Sequence, residues 1–362
     1  MNQKNQMMIE AYREQKLDYE ALGEVVYRLL TAELKRAGVM VNAITYRLKT
    51  EESLEGKLQL KDEKYHQLSD ITDLLGVRII SYFSDDVDHA SAIVEQIFEI
   101  DRENSVDKRE LLGPNAFGYL SVHYICSLRE RDGYPREICG KKFEVQIRSA
   151  LQHTWAEIEH DLGYKSAFGV PREVRREFSR VASLLEIADE QFVRIREALN
   201  NYACEIRRKI AEDCCAEVRL DLLSLREYMK SNRAILAFLG ELSAITGAEI
   251  DPIQPDIYLR QLTWLGAETL GDVQKLLENN RATALRLARQ VLEGTDLDIL
   301  SSNTALRYLC RAELLRTGRT EAEITDFLLL SNKNEARARQ QAQNLLHTAA
   351  ISSQNNETEE SK

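Results

Sequence analysis

Lys142-Phe143-Glu144-Val145-Gln146-Ile147-Arg148-Ser149 is the stretch that organises this chain. Its residues alternate strictly, so that Phe143, Val145 and Ile147 share one face of a strand and Glu144, Gln146 and Arg148 the other. Alternation alone describes an ordinary strand with one solvated face. An acid, an amide and a guanidinium in one row, backed by three apolar residues, also describe a polar site built on a sheet.

Working outward, two more segments read as strands. Ser121 to Leu128 (SVHYICSL) precedes it, and the intervening loop carries Asp132-Gly133, a turn signal. Further upstream, Asp73 opens DLLGVRIISYF, where β-branched and aromatic residues bunch as in a buried strand that also carries Arg78. Residues 85–99 return to helical spacing, with aspartates at the start where they suit the helix dipole. Residues 8–38 place Tyr19, Leu22, Val26, Leu29, Leu30 and Leu34 at helical intervals, with Gly38 as the stop. The segment 41–66 is mixed and rich in Lys and Glu, and is expected to form one or two helices.

From 150 to 348 nearly everything has helical periodicity. A long helix begins near Ala150 and another follows Pro171, while Pro252 and Pro255 mark a joint between helical subdomains. The end of the chain, SSQNNETEESK, is polar. The expected organisation is an α+β domain over residues 1–200, an all-α region over 201–348 and a disordered tail over 349–362. Helices around a small mixed sheet suit this order of elements better than a doubly wound fold.

Composition narrows the function. A net charge of −11 argues against coating nucleic acid, which needs a broad basic face, but leaves room for a basic pocket. No apolar run approaches the roughly 20 residues that span a bilayer, and the amino terminus lacks a signal-peptide core, so a cytoplasmic protein is expected. The six cysteines, without a CxxC pair, read as reduced thiols rather than disulfides or a zinc site. There is no GxxxxGK[ST], HExxH or GxSxG, which sets aside Walker-type nucleotide hydrolases, zincins and α/β hydrolases.

The remaining polar residues fit a polyphosphate. Asp73 and Glu144 on neighbouring strands could hold Mg²⁺, which takes few carboxylates plus phosphate oxygens. In YRLKTEESLEGK, Lys49, Ser53 and Lys57 fall at i, i+4 and i+8, one face of a helix; the plain alternative is a solvated face paired with Glu51, Glu52 and Glu55. In FGYLSVHYI, Gly118 permits close backbone approach, Tyr119 offers a ring for stacking, and His123 lies on the same side of its strand as Ser121. Taken singly, the tyrosine reads as core and the histidine as a satisfied polar residue.

In order, RLKTEESLEGK, DITDLLGVRII, FGYLSVHYI and FEVQIRSALQHTWAEIEHDLGYK resemble the synthetase domain of the RelA/SpoT family, close to the small alarmone synthetases, from about Ala43 to Lys165. The resemblance implies a nucleotidyltransferase-like fold and transfer of pyrophosphate from ATP to the 3′-hydroxyl of GDP or GTP. It further implies that Arg47 and Arg78 sandwich the adenine and that Lys49, Ser53 and Lys57 hold the donor phosphates. Asp73 and Glu144 would bind Mg²⁺, with Glu144 also assisting removal of the 3′-OH proton. Tyr119 would stack on the acceptor guanine, and His123, Gln146 and Arg148 would line the phosphate and ribose region. One stretch departs from the family pattern PKxNGY: Asn115 and Phe117 stand before Gly118-Tyr119, so the usual lysine is missing, and Lys108 or Arg109 is the nearest replacement. That departure leaves an alternative, a toxin-like relative that modifies the tRNA 3′ end or adenine nucleotides. No histidine precedes residue 40, so the family's hydrolase motif is not expected there. For the carboxy-terminal helices, oligomerisation, a regulatory partner and neutralisation of the catalytic domain are the open roles.

Overall fold

A computed structural model describes residues 3–60, 64–111, 121–129, 133–164 and 171–359, and the chain divides into two compact units, Met1–Glu197 and Ala198–Lys362. In the first, α1 (Gln3–Glu14) and α2 (Lys16–Arg36) lead into β1 (Val41–Leu48), α3 (Glu51–Leu60), β2 (Leu75–Ser81) and α4 (Asp86–Ile97). Then come β3 (Glu99–Asp107), α5 (Lys108–Leu111), β4 (Val122–Ser127), β5 (Phe143–Ser149), α6 (Ala150–Tyr164) and α7 (Arg172–Ala211). Among the described residues the strands form one mixed sheet in the order β1-β2-β5-β4-β3. Only β2 and β5 run parallel within it; the other neighbours are antiparallel. This is the expected α+β architecture.

The alternation of β5 divides the sheet into two chemistries. Phe143, Val145 and Ile147 are fully buried with Val77 and Ile79 of β2, under Leu22, Val26 and Leu30 of α2 and Val87, Ala90 and Val94 of α4. Burying these side chains stabilises the sheet by about 1.5–3 kcal/mol apiece. Gly23 allows α2 to lie close, since a Cβ there would stand 2.6 Å from the Tyr46 ring of β1. The opposite face carries Gly76, Arg78, Glu144, Gln146 and His123, and the register aligns Gly76 with Glu144, and Arg78 with Gln146, which in turn faces His123.

Two elements differ from the sequence reading. Residues 41–48, expected to be helical, form β1, because Val41, Ile44, Thr45 and Tyr46 suit a pleated strand and antiparallel pairing with β2 overrides the weaker helical signal. Lys49 therefore precedes α3, and only Ser53 and Lys57 share the expected helix face. β3 escaped notice because EIDRENSVD is a charged edge strand, with an irregularity between Asp101 and Val106.

The second unit has its own core, from Ile206 of α7 to Leu345. Its helices are α8 (Leu222–Ser231), α9 (Arg233–Thr246), α10 (Asp256–Trp264), α11 (Leu270–Leu292), α12 (Asn303–Arg316), α13 (Glu321–Leu329) and α14 (Glu335–Glu359). Local sequence explains several starts: Asn232 accepts from the Ala234 and Ile235 amides to cap α9, and Thr320 with Glu323 forms a capping box on α13. The region is not purely helical, for β6 (Glu249–Asp251) pairs in parallel with β7 (Ile299–Ser301). Pro252 and Pro255 fall between β6 and α10, inside one continuous core rather than at a joint between subdomains. The last helix runs to Glu359, through most of the stretch expected to be a tail.

Candidate active site

The polar face of the sheet opens into a cavity of about 360 Å³, lined by Arg47, Lys49, Thr50, Ser53, Asp73, Gly76, Arg78, Glu144, Gln146 and His160 among others. A second cavity, about 390 Å³, shares Arg47, Arg78, Gln146 and His160 with the first and adds Lys108, His123, Arg148 and Glu157. Both volumes suit a nucleotide-sized ligand.

Asp73 lies just before β2 and receives two ammonium groups. Lys57 Nζ, from α3, stands 2.7 Å from Oδ1, and Lys49 Nζ stands 3.0 Å from Oδ2. Burial pushes the Asp73 carboxyl up, but Lys57 and Lys49 outweigh it and hold the group below its ordinary value. The Lys49 turn is braced from both sides. Its amide donates to the Leu74 carbonyl at 2.8 Å, and its own carbonyl accepts the hydroxyl of fully buried Tyr12 at 2.7 Å. Thr50 and Ser53, hydroxyl to hydroxyl at 2.9 Å, stand at the amino end of α3, where the helix dipole favours an anion.

A continuous hydrogen-bonded row crosses β4 and β5. Ser121 Oγ lies 2.7 Å from His123 Nε2, and His123 Nδ1 lies 2.8 Å from Glu144 Oε1. Gln146 donates from Nε2 to Glu144 Oε2 at 2.8 Å and accepts in turn from Arg148. Burial raises the Glu144 pKa and so, weakly, does Asp73, but the bonds from His123 and Gln146 bring it below the usual range. Glu144 is thus ionised at neutral pH, which suits binding positive charge better than strong general-base work. That Asp73 still opposes the ionisation of Glu144 means that the two negative charges feel one another.

Arg47 of β1 and Arg78 of β2 are diagonal neighbours, since Arg47 pairs with Gly76 and Thr45 with Arg78. Glu157 of α6 holds the Arg78 guanidinium at 3.0 Å. The two residues considered as substitutes for the missing lysine separate cleanly. Arg109 is committed to Asp107 and Asp88, each at 2.7 Å, whereas Lys108 lines the second cavity, where burial lowers its pKa.

The structure therefore brings together Arg47, Lys49, Ser53, Lys57, Asp73, Arg78, His123, Glu144, Gln146 and Arg148. Tyr119, with Asn115 and Phe117, lies outside the described residues. Sequence reasoning missed Tyr12, Gly76, Glu157 and His160. His153, Glu157 and His160 recur at i, i+4 and i+7 on α6, a polar stripe that could have been read. No sequence signal points to Tyr12 or Gly76, whose roles come from tertiary placement.

Residues 46–168 match the family model described as a region found in RelA / SpoT proteins. Over 174 residues the chain is 28% identical to the GTP pyrophosphokinase YjbM of Bacillus subtilis, covering 47% of this chain and 78% of that protein. It is 29% identical over 165 residues to the GTP pyrophosphokinase YwaC of the same organism, covering 42% and 73%. Among solved structures, the small alarmone synthetase 2 of B. subtilis is similar, at 26% identity and a TM-score of 0.44, over 52% of this chain and 99% of that one. Part of the first unit, residues 46–168, is thus similar to the region found in RelA / SpoT proteins.

Proposed function

We propose that this chain, through its RelA/SpoT region, is a GTP/GDP pyrophosphokinase that moves the β,γ-pyrophosphate of ATP to the 3′-hydroxyl of GDP or GTP. The observation that carries the reading is the convergence of Asp73, Glu144 and Lys49 on one cavity that Gly76 also lines, with Lys57 paired to Asp73 at its border. The named relatives, both GTP pyrophosphokinases, support a guanine-nucleotide acceptor over the tRNA alternative.

The donor set also suits Mg²⁺. Two mutually repelling carboxylates are hard oxygen ligands, and among the described residues no third His, Cys, Asp or Glu joins them. Asp73 and Glu144 would hold Mg²⁺, which would supply neutralisation of charge on the donor polyphosphate. Lys49, Lys57, Ser53 and the amino end of α3 hold the donor phosphates, and Arg47 and Arg78 flank its adenine. Tyr119 is assigned to the acceptor base, and Lys108 and Arg148 to the acceptor's phosphates. His123 and Gln146 fix the carboxylate of Glu144 beside the acceptor ribose.

The 3′-oxygen then attacks the β-phosphorus in line. The new O3′–Pβ bond forms as the bond from Pβ to the bridging oxygen of AMP breaks, and the hydroxyl proton leaves toward Glu144. A loose transition state needs little basicity from that carboxylate, so its depressed pKa is no obstacle. Positioning and charge neutralisation carry most of the catalysis. The test is separation of products from γ-labelled ATP supplied in turn with GDP, GTP, ADP or deacylated tRNA. Label should appear on GDP and GTP; label on tRNA alone would overturn the reading.

A further inference from the structure

The second unit contains a cavity of about 430 Å³ whose charge is all of one sign. Arg307 and Arg311 project into it from α12 and Arg337 from α14, beside Tyr258, Gln261 and Asn332. Within each helix the polar lining repeats at i, i+4: Arg307 with Arg311, and Arg337 with Gln341. Among the described residues no aspartate or glutamate lines it, in a chain whose net charge is −11.

Neighbouring arginines show how unusual this is. Arg316, Arg319 and Arg339 each hold a glutamate, whereas among the described residues none of the three cavity arginines makes an ion pair. Among the described residues Arg307 reaches only the Tyr258 hydroxyl, at 3.4 Å. Arg311 is the most enclosed. Burial, and then the adjacent Arg307, work against its charge, and Tyr308 and Tyr258 offset this only in part. Two guanidinium groups one helical turn apart repel one another, and with no carboxylate among the described lining residues an anion is the natural complement.

Arg311 and Gln341 also line an adjoining cavity of about 210 Å³, with Leu287, Val291, Tyr308 and Leu345. A charged chamber thus abuts a mainly apolar one through a shared arginine. We propose that this paired cavity of the second unit binds a small organic phosphate, its phosphate groups on Arg307, Arg311 and Arg337 and its carbon skeleton toward the apolar chamber. Three guanidinium forks match a doubly or more highly charged phosphate, whose oxygens accept paired hydrogen bonds. The combined space is that of an ordinary small-ligand site.

Hydrogen–deuterium exchange on the full chain, with inorganic pyrophosphate as probe, separates this site from the transfer site. Pyrophosphate should slow exchange across residues 303–316 and 331–345, in addition to any protection across 43–60. In the double variant Arg307→Gln, Arg337→Gln the first effect should be lost, with pyrophosphate binding there weaker by more than about tenfold, while protection across 43–60 and nucleotide turnover stay as in the wild type. Both side chains are exposed, so the melting temperature should hold; Arg307→Lys, which keeps the charge and removes the fork, should weaken binding by less. Protection confined to 43–60, or persisting unchanged in the double variant, would overturn the site. Equal protection by citrate would overturn the phosphate class.

Discussion

His123 Nδ1 and Glu144 Oε1 lie 2.8 Å apart, on strands whose register sets His123 opposite Gln146 rather than opposite Glu144. The imidazole therefore leans diagonally along the sheet to reach the carboxylate, and Gln146 grips the other oxygen from its own strand. With both oxygens held, Glu144 has one orientation, aimed at the space it shares with Asp73.

Asp73→Asn and Glu144→Gln should each cut pyrophosphate transfer by more than about tenfold without unfolding the protein. The double variant should lose little beyond either single one, because the two carboxylates act as one unit. Initial rates with γ-labelled ATP, beside circular dichroism of each variant, check this. Either single variant keeping more than a tenth of the turnover would remove the pair from the chemistry.

Gly76 lines the cavity proposed to hold ATP, and a Cβ built on it meets nothing within 4 Å. Gly76→Val should accordingly fold well, helped by the higher strand propensity of valine, while its side chain occupies nucleotide space. The expected outcome is a KM for ATP raised severalfold or more with an unchanged or higher melting temperature. An unaltered KM would show that ATP does not lie over Gly76.

Arg47→Ala and Arg78→Ala should both raise the KM for ATP. A cation–π contact contributes about 0.5–2 kcal/mol, so each loss corresponds to a few-fold to a few-tens-fold change. Glu157→Gln is the companion variant, since the 3.0 Å ion pair orients the Arg78 guanidinium. It should reproduce part of the Arg78→Ala effect. Steady-state kinetics at saturating GDP make the comparison.

The pH dependence follows from the carboxylates. Burial opposes ionisation of Asp73, yet Lys57 and Lys49 leave its pKa below the ordinary value. A carboxylate depressed in the folded state stabilises the protein fully above its unfolded pKa of about 4 and loses that contribution as pH falls through the folded value. Asp73→Asn should therefore be less stable than the wild type at pH 7, and the gap should close below about pH 4. Denaturant melts between pH 3 and pH 7 measure it, and a gap that stays constant to pH 3 would contradict the depression.

Every assigned site residue precedes Ser166, and α7 contributes to the first unit through Asp189 on Ser149, at 2.5 Å, and Arg196 on Asp86, at 2.9 Å. A chain ending after Asn201 keeps both contacts. It should remain soluble and retain pyrophosphate transfer, whereas a chain ending after Pro171 should lose stability. A folded 1–201 protein without turnover would show that the second unit is needed to complete the reaction.

What could be read in advance divides along physical lines. β5 was legible because each residue from Phe143 to Ile147 is flanked on both sides by residues of the opposite polarity, and a period of two needs only a few residues to declare itself. β1 was misread because the Lys- and Glu-rich stretch that follows Val41–Leu48 dilutes its pattern, and its strand character rests on pairing with β2. The basic stripe was found for a partly wrong reason. Lys49 is not on the helix of Ser53 and Lys57, yet all three line or border one cavity because Asp73 draws both lysines together. Tyr12 could not be found from sequence, since its hydroxyl acts on a carbonyl 37 residues away.

β5 is bonded along both edges, to β2 and β4. A single residue inserted after Glu144 has no free margin into which to slip. Everything beyond it would change sides, sending Gln146 and Arg148 toward the oily layer under α4 and Val145 and Ile147 toward the polar cavities. Two inserted residues would restore the sides but shift the following groups by roughly 7 Å, farther than an ion pair can stretch. This strand is therefore intolerant of any change in length, and natural or engineered variation in chain length between Asp73 and Arg148 must be absorbed in the connections between strands.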